Sequence, residues 1–165
     1  MVCKMLASKL LGVVGVFMMA INYAAVNGRC LKAPTGGRPR CPPTWSQWQD
    51  KCYKMHDDNV RWEEGKQKCD EWGGVIVVPQ SQEELQHLDM GNSFFWIGCN
   101  DIQVEGTWVC LDGEGTIDEQ DNRWADGEPN YGKFGNCAAG TASGWFDGGC
   151  DSNTRLICQR PVAPL

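Results

Sequence analysis

Ten cysteines in a chain of 165 residues constrain the fold more than any other feature of this sequence. At that density they are either reactive or metal-binding thiols of a reducing compartment, or a disulfide framework of an oxidising one. The N-terminus separates the two. Lys4 and Lys9 precede and flank the start of an apolar run from Leu10 to Ile21, and Val26-Asn27-Gly28 then offers small or moderate residues before a cut. A signal peptide over residues 1–28, cleaved after Gly28, is therefore expected. The rival reading is an uncleaved anchor, but Asn22, Tyr23 and Asn27 interrupt the tail of the run, and a full span wants about 20 mostly apolar residues. Cleavage predicts a secreted, extracellular chain with no membrane span. It also removes Cys3 and leaves nine of the ten cysteines as a framework.

Composition narrows the class further. Hydrophobic residues at 42% and charged residues at 22% suit one globular domain. Eight tryptophans imply a core built around large rings, each wanting a partner for its indole N–H. The net charge of −6, with no basic stripe, argues against a nucleic-acid partner and against docking on an anionic membrane.

Along the chain, residues 29–40 mix Pro34, Gly36, Gly37 and Pro39 with basic residues and predict a flexible arm carrying Cys30. The ordered domain is expected over 41–160, followed by a short tail over 161–165. Cys41 and Cys52 bracket Trp45 and Trp48, which suits a hairpin closed by a disulfide. Asn59 is the expected cap of a helix running to about Glu71 and stopped by Gly73-Gly74. Val75 to Val78 reads as a short strand, and Ser81 followed by Glu84 as a capping box opening a second helix, with Leu85, Leu88 and Met90 inward. Phe94 to Cys99 and Thr107 to Leu111 are expected strands joined by a turn at Glu105-Gly106, and Arg155 to Cys158 a final strand. From Asp112 to Gly149 there is little periodicity, so a long irregular segment is expected there, normally functional in a compact domain.

In this order, Trp96-Ile97-Gly98, Asn100-Asp101, Glu105-Gly106, Trp124, Glu128-Pro129-Asn130, Trp145, Asp147 and Ile157-Cys158 resemble the C-type lectin-like domain, with cysteines in register from Cys41 to about Arg160. The resemblance implies an α+β fold of two helices and two small antiparallel sheets with a long disulfide-closed ligand loop. It implies the pairs Cys69–Cys158, Cys137–Cys150 and Cys41–Cys52. Cys99 and Cys110 stand where apolar residues are commoner, flank the turn between two predicted strands, and can meet across the ladder; spacing alone selects no connectivity, since eight cysteines allow about 105 pairings.

The resemblance also implies the chemistry of the loop. In sugar-binding relatives one calcium ion holds the sugar; Glu128, Asn130 and Asp147 stand at its ligand positions, and Glu-Pro-Asn is the mannose-type triplet. Pro129 is expected to be cis. Two usual ligands are absent, since Gly135 replaces a glutamate and Phe146 an asparagine; Asn136 and Asp126 are the nearest substitutes. At the auxiliary calcium site Asp101 and Glu105 are present, but Tyr131 and Asn136 replace acids. Trp96, Trp108 and Trp145 are expected in the core, while Trp124, beside the loop, is a candidate ligand contact. No catalytic motif stands out, and His56-Asp57-Asp58 reads as a solvated turn. The expectation is therefore a binding module and not an enzyme: a carbohydrate-binding lectin of glycans or glycoproteins, calcium-dependent with mannose-type preference, or a calcium-independent module for a protein or other non-sugar ligand. The ninth cysteine, Cys30, lies outside the domain pattern and is the expected link of a disulfide-bonded dimer.

Overall fold

The computed structural model describes residues 25–26, 29–30, 41–89, 91, 93–113 and 115–163. Strands β1 (Ala25–Val26) and β2 (Arg29–Cys30) pair as a short antiparallel ladder. The rest of the expected signal peptide and arm, and the Cys30 side chain on which the expected dimer depends, lie outside the described residues.

The domain begins as a hairpin. β3 (Ser46–Trp48) pairs with β4 (Lys51–Met55), and Cys41 joins Cys52. Helix α1 (Trp62–Glu71) follows, with Trp62, Gly65 and Cys69 on its buried face. Its N-cap is Arg61, not the expected Asn59, because Val60 is held in a two-way backbone bridge with Thr154 that keeps the chain extended up to the helix. Glu63 and Glu64 in the first turn favour the positive end of the helix dipole. Gly73, at φ +71, ends the helix as expected, donating its N–H to Asp70 O at 2.9 Å.

β5 (Val75–Ile76) leads to α2 (Gln82–Leu88), where Ser81 Oγ accepts the Glu84 N–H at 3.1 Å. The reciprocal half of the expected box is redirected. The Glu84 carboxylate accepts from Gln80 N and turns into the core toward Tyr53 and Lys51. Leu85 and Leu88 are buried as expected; Met90 lies outside the described residues.

Two sheets frame the core. One has the order β3-β4-β11-β5, where β11 is Ile157–Pro161. The other has the order β10-β9-β6-β7-β8, built from β6 (Phe95–Asn100), β7 (Trp108–Cys110), β8 (Thr116–Ile117), β9 (Cys137–Thr141) and β10 (Gly144–Gly148). All named strand pairs are antiparallel. β8, β9 and β10 correct the expectation of a wholly irregular 112–149, although the stretch between β8 and β9 is indeed loop. β9 reads Cys-Ala-Ala-Gly-Thr and is buried on both faces, so it carries no polar–apolar alternation. β11 also continues through Pro161, one residue past the expected domain end.

Gly98 shows why the Trp96-Ile97-Gly98 segment ends in glycine. A Cβ there would stand 2.5 Å from Ile76 O, where β6 crosses close to the other sheet. Trp62 and Trp96 tie the layers reciprocally: Trp62 Nε1 donates to Ile97 O at 2.8 Å, and Trp96 Nε1 donates to Val60 O at 2.7 Å. Trp96, Trp108 and Trp145 are buried, as expected. Indole partners are not universal, however: Trp108 Nε1 and Trp145 Nε1 are buried without a hydrogen bond. Four disulfides close the domain: Cys41–Cys52, Cys69–Cys158, Cys99–Cys110 and Cys137–Cys150. Cys99 and Cys110 are direct cross-strand neighbours on β6 and β7.

Candidate functional site

The candidate loop, residues 125–136, is seated on the start of β10. Trp145 N donates to Arg123 O at 2.8 Å, Ala125 N to Trp145 O at 2.9 Å, and Glu128 N to Ala125 O at 3.0 Å. Beneath it lies a stack of rings. Trp124 meets Trp108 edge-on at 4.7 Å and Trp145 edge-on at 5.8 Å, and its Nε1 donates to Asp118 O. At 8% exposure Trp124 lies in the core, with little surface left for the ligand contact expected of it. Its position beside the loop in sequence becomes a position under the loop in space, between two other rings.

The Glu128–Pro129 bond is cis, as expected. Asn130 Nδ2 donates to Glu128 Oε1 at 2.8 Å, so a carboxylate and an amide stand side by side, with Asn130 exposed. Asp147, on β10, is brought to the same place from the other side. Its Oδ1 accepts the Asn130 N–H at 3.0 Å and its Oδ2 accepts the Tyr131 N–H at 2.7 Å. Partial desolvation, then the hydrogen bond and repulsion of Asp147, raise the Glu128 carboxyl above its ordinary range, while the Asn130 amide pulls it down.

The two substituted positions are filled by something other than a ligand. A Cβ on Gly135 would lie 2.6 Å from Asp147 Oδ2 and 2.7 Å from Tyr131 Cβ, so these two side chains occupy the space another would need. Phe146 packs edge-on against Phe94 at 5.2 Å. Calcium takes about six to eight oxygen ligands. Glu128 and Asn130 from the loop and Asp147 from β10 make three side chains, and both oxygens of Asp147 already accept backbone N–H groups. Of the two substitutes considered, Asn136 gives its carbonyl to Asp101 N and its Oδ1 is buried without a partner, while Asp126 is exposed. Among the described residues no three His, Cys, Asp or Glu side chains group to hold a metal ion. In this arrangement the residues do not fit the calcium ion that the fold implies.

The auxiliary position is acidic but incomplete. Asp101 is 4% exposed; its Oδ2 accepts the Gly106 N–H at 2.9 Å and its Oδ1 is buried without a partner. Desolvation, then Asp101, Glu119 and Asp147, raise the Glu105 carboxyl, with Lys133 acting the other way. Glu119 is the member of this group that sequence reasoning missed; its repulsion of Glu105 and the approach of its carboxylate to Gly106 reveal it. Tyr131 and Phe134, both exposed, are the N-cap and the last residue of the 3-10 turn Gly132–Phe134 just beyond Asn130. His56 sits in an exposed turn whose ring nitrogen accepts the Asp58 N–H.

Two helices, two antiparallel sheets, four disulfides and a long loop presenting Glu-Pro-Asn define the C-type lectin class of domain. The comparisons agree: the Lectin C-type domain family model matches residues 58–160, and the chain belongs to that family. It is 35% identical over 128 residues to C-type lectin domain family 4 member M of Symphalangus syndactylus, covering 75% of this chain and 30% of that protein. The chain thus spans about a third of the length of the curated relatives it matches. Among solved structures, it resembles the mouse scavenger receptor C-type lectin carbohydrate-recognition domain, with a TM-score of 0.65, 30% identity, and coverage of 75% of this chain and 100% of that one. It also resembles the cow CD23 carbohydrate-recognition domain crystallised with a GlcNAc2Man3 oligosaccharide, with a TM-score of 0.67, 29% identity, and coverage of 76% and 98%.

Proposed function

We propose that this chain is a secreted carbohydrate-binding lectin, and that its sugar contacts are Glu128 and Asn130, with Asp147 behind them. One observation carries the reading: a carboxylate acceptor and an amide side by side, on a loop fixed to the core, with the amide open to solvent. Adjacent sugar hydroxyls each need an acceptor or a donor, and a Glu–Asn pair supplies both. The solved carbohydrate-recognition domains that resemble the chain support the ligand class, and Glu-Pro-Asn supports mannose-type over galactose-type sugars. Membership of the Lectin C-type domain family supports a binding role for the loop.

The calcium requirement divides this reading in two. The family resemblance favours a calcium-dependent site. The engagement of Asp147 by backbone N–H groups and the blocked space at Gly135 favour calcium-independent binding, in which a protein or other non-sugar ligand is the alternative to a glycan. A glycan array probed with and without chelator separates these outcomes. Binding to mannose-type glycans that survives chelator supports direct recognition, and binding abolished by chelator supports a calcium-held sugar. No glycan signal in either condition overturns the sugar reading. Glu128→Gln with Asn130→Asp is expected to move preference toward galactose-type glycans; an unchanged preference places the sugar elsewhere.

A further inference from the structure

Asp147 is spent in an unusual way for a residue at a metal-ligand position. Its two oxygens take one backbone N–H each, from Asn130 and Tyr131, which lie 17 and 16 residues back along the chain. Both bonds are charge-assisted and therefore stronger than neutral ones. Glycine at 135 is what allows the close approach, because any side chain there would collide with the Asp147 carboxylate and with Tyr131. Gly135 N in turn donates to Gly132 O at 2.7 Å, closing the 3-10 turn on the far side of Tyr131. Phe146, the neighbour of Asp147 on β10, is committed to Phe94. The two departures from the usual ligand set thus serve one arrangement, in which the loop is gripped from behind by a side chain of its own chain.

We propose that Asp147 is the positioning residue of the binding loop: its carboxylate, with no divalent cation, fixes the Asn130 and Tyr131 backbone and leaves Glu128 and Asn130 to face the ligand. The part of this that concerns ligand affinity rests on the proposed function; the part that concerns the loop does not.

Limited trypsin digestion reads the loop directly, because Lys133 lies exposed in the 3-10 turn that Asp147 anchors. Lys68, on α1, serves as the internal reference. In the full chain, cleavage after Lys133 is expected to be slow and equal in chelator and in millimolar calcium. Asp147→Asn keeps one acceptor oxygen and is expected to be cut several-fold faster. Asp147→Ala keeps none and is expected to be cut at least about tenfold faster, the factor associated with losing roughly one net charged hydrogen bond. Gly135→Ala leaves Asp147 in the sequence but displaces its carboxylate, and cleavage is expected to speed up as well, with Lys68 unchanged throughout. Calcium that protects Lys133 about tenfold in the wild type would overturn the proposal, as would an Asp147→Ala protein cut no faster than wild type. Should a variant misfold, the wild-type comparison with and without calcium still decides the question. Binding to an oligomannose surface in chelator is the second readout: Asp147→Asn is expected to weaken it at unchanged melting temperature. A wild type that ignores oligomannose but shows the expected cleavage pattern refutes the sugar reading and leaves the positioning role standing.

Discussion

Replacing Glu84 with alanine removes a carboxylate that is 2% exposed and serves three donors. Tyr53 Oη donates to Oε1 at 2.7 Å, Lys51 Nζ to Oε1 at 2.8 Å, and Gln80 N to Oε2 at 2.9 Å, so the side chain joins β4 to the start of α2. Hydrogen bonds to a charged group contribute about 1.5–3 kcal/mol each. They do not simply add here, because the Lys51 side chain is 21% exposed and recovers water when its partner goes. Tyr53, at 3% exposure, does not. Breaking a buried charged pair from one side costs about 3–5 kcal/mol, and Glu84→Ala is expected to fall in that range. Glu84→Gln keeps the shape and one acceptor, and is expected to cost about half as much. Burial first, and Glu84 second, push the Tyr53 phenol well above its ordinary value of 10.0. A raised phenol contributes stability that is complete below pH 10 and fades as pH climbs above it. Tyr53→Phe should therefore flatten the alkaline limb of the stability curve. Guanidinium unfolding followed by tryptophan fluorescence, with disulfides intact, measures all three variants. A Glu84→Ala loss under about 1 kcal/mol, or a Gln variant as damaging as Ala, would refute the assignment of three working bonds.

Two further predictions follow from the same structure. Cys99→Ser with Cys110→Ser opens a loop whose cysteines are 11 residues apart, and is expected to lower stability by about 3 kcal/mol by chain entropy, read as a drop in melting temperature; peptide mapping of the non-reduced wild type must recover the Cys99–Cys110 link. Hydrogen bonds from Arg123 hold the Asp121 carboxyl below its ordinary range against partial burial, so the stability it contributes is present above pH 3.8 and lost as pH falls through the lowered value. The melting-temperature gap between wild type and Arg123→Gln should accordingly narrow from about pH 6 to about pH 2.5, and a gap that stays constant assigns it to the stacking of Arg123 on Trp145, at 4.8 Å, and its hydrogen bond to Gln80 Oε1.

What could be read from the sequence depended on whether a residue announces its own role. Ser81 and Gly73 did, since a cap and a left-handed stop are local demands; the cysteine partners came from the family resemblance, since Cys69 and Cys158 are 89 residues apart. The geometry of the Glu-Pro-Asn triplet was local too: its cis bond and its Glu128–Asn130 hydrogen bond lie within three residues. β9 did not, since a strand of small residues buried on both faces has no alternation to detect. Arg61 replaced Asn59 as the cap because a distant segment, Thr154, held Val60 extended. The site was half legible for the same reason. Gly135 looked like the loss of a ligand, and only the Asp147 carboxylate lying against it shows that the missing side chain makes room for a contact.

The position of β11 has a consequence for biosynthesis. It lies between β4 and β5 in the first sheet, although those two strands leave the ribosome about a hundred and about eighty residues before it. Until it arrives, β4 has only the three-residue β3 as a ladder partner. Cys69, whose partner Cys158 is 89 residues away, must stay unpaired while Cys99, Cys110, Cys137 and Cys150 emerge beside it. At about 5–20 residues per second that exposure lasts on the order of five to twenty seconds, long enough for a wrong pairing to form first. Yield of this domain in an expression host should therefore be governed by disulfide isomerase supply more than by the stability of the finished fold.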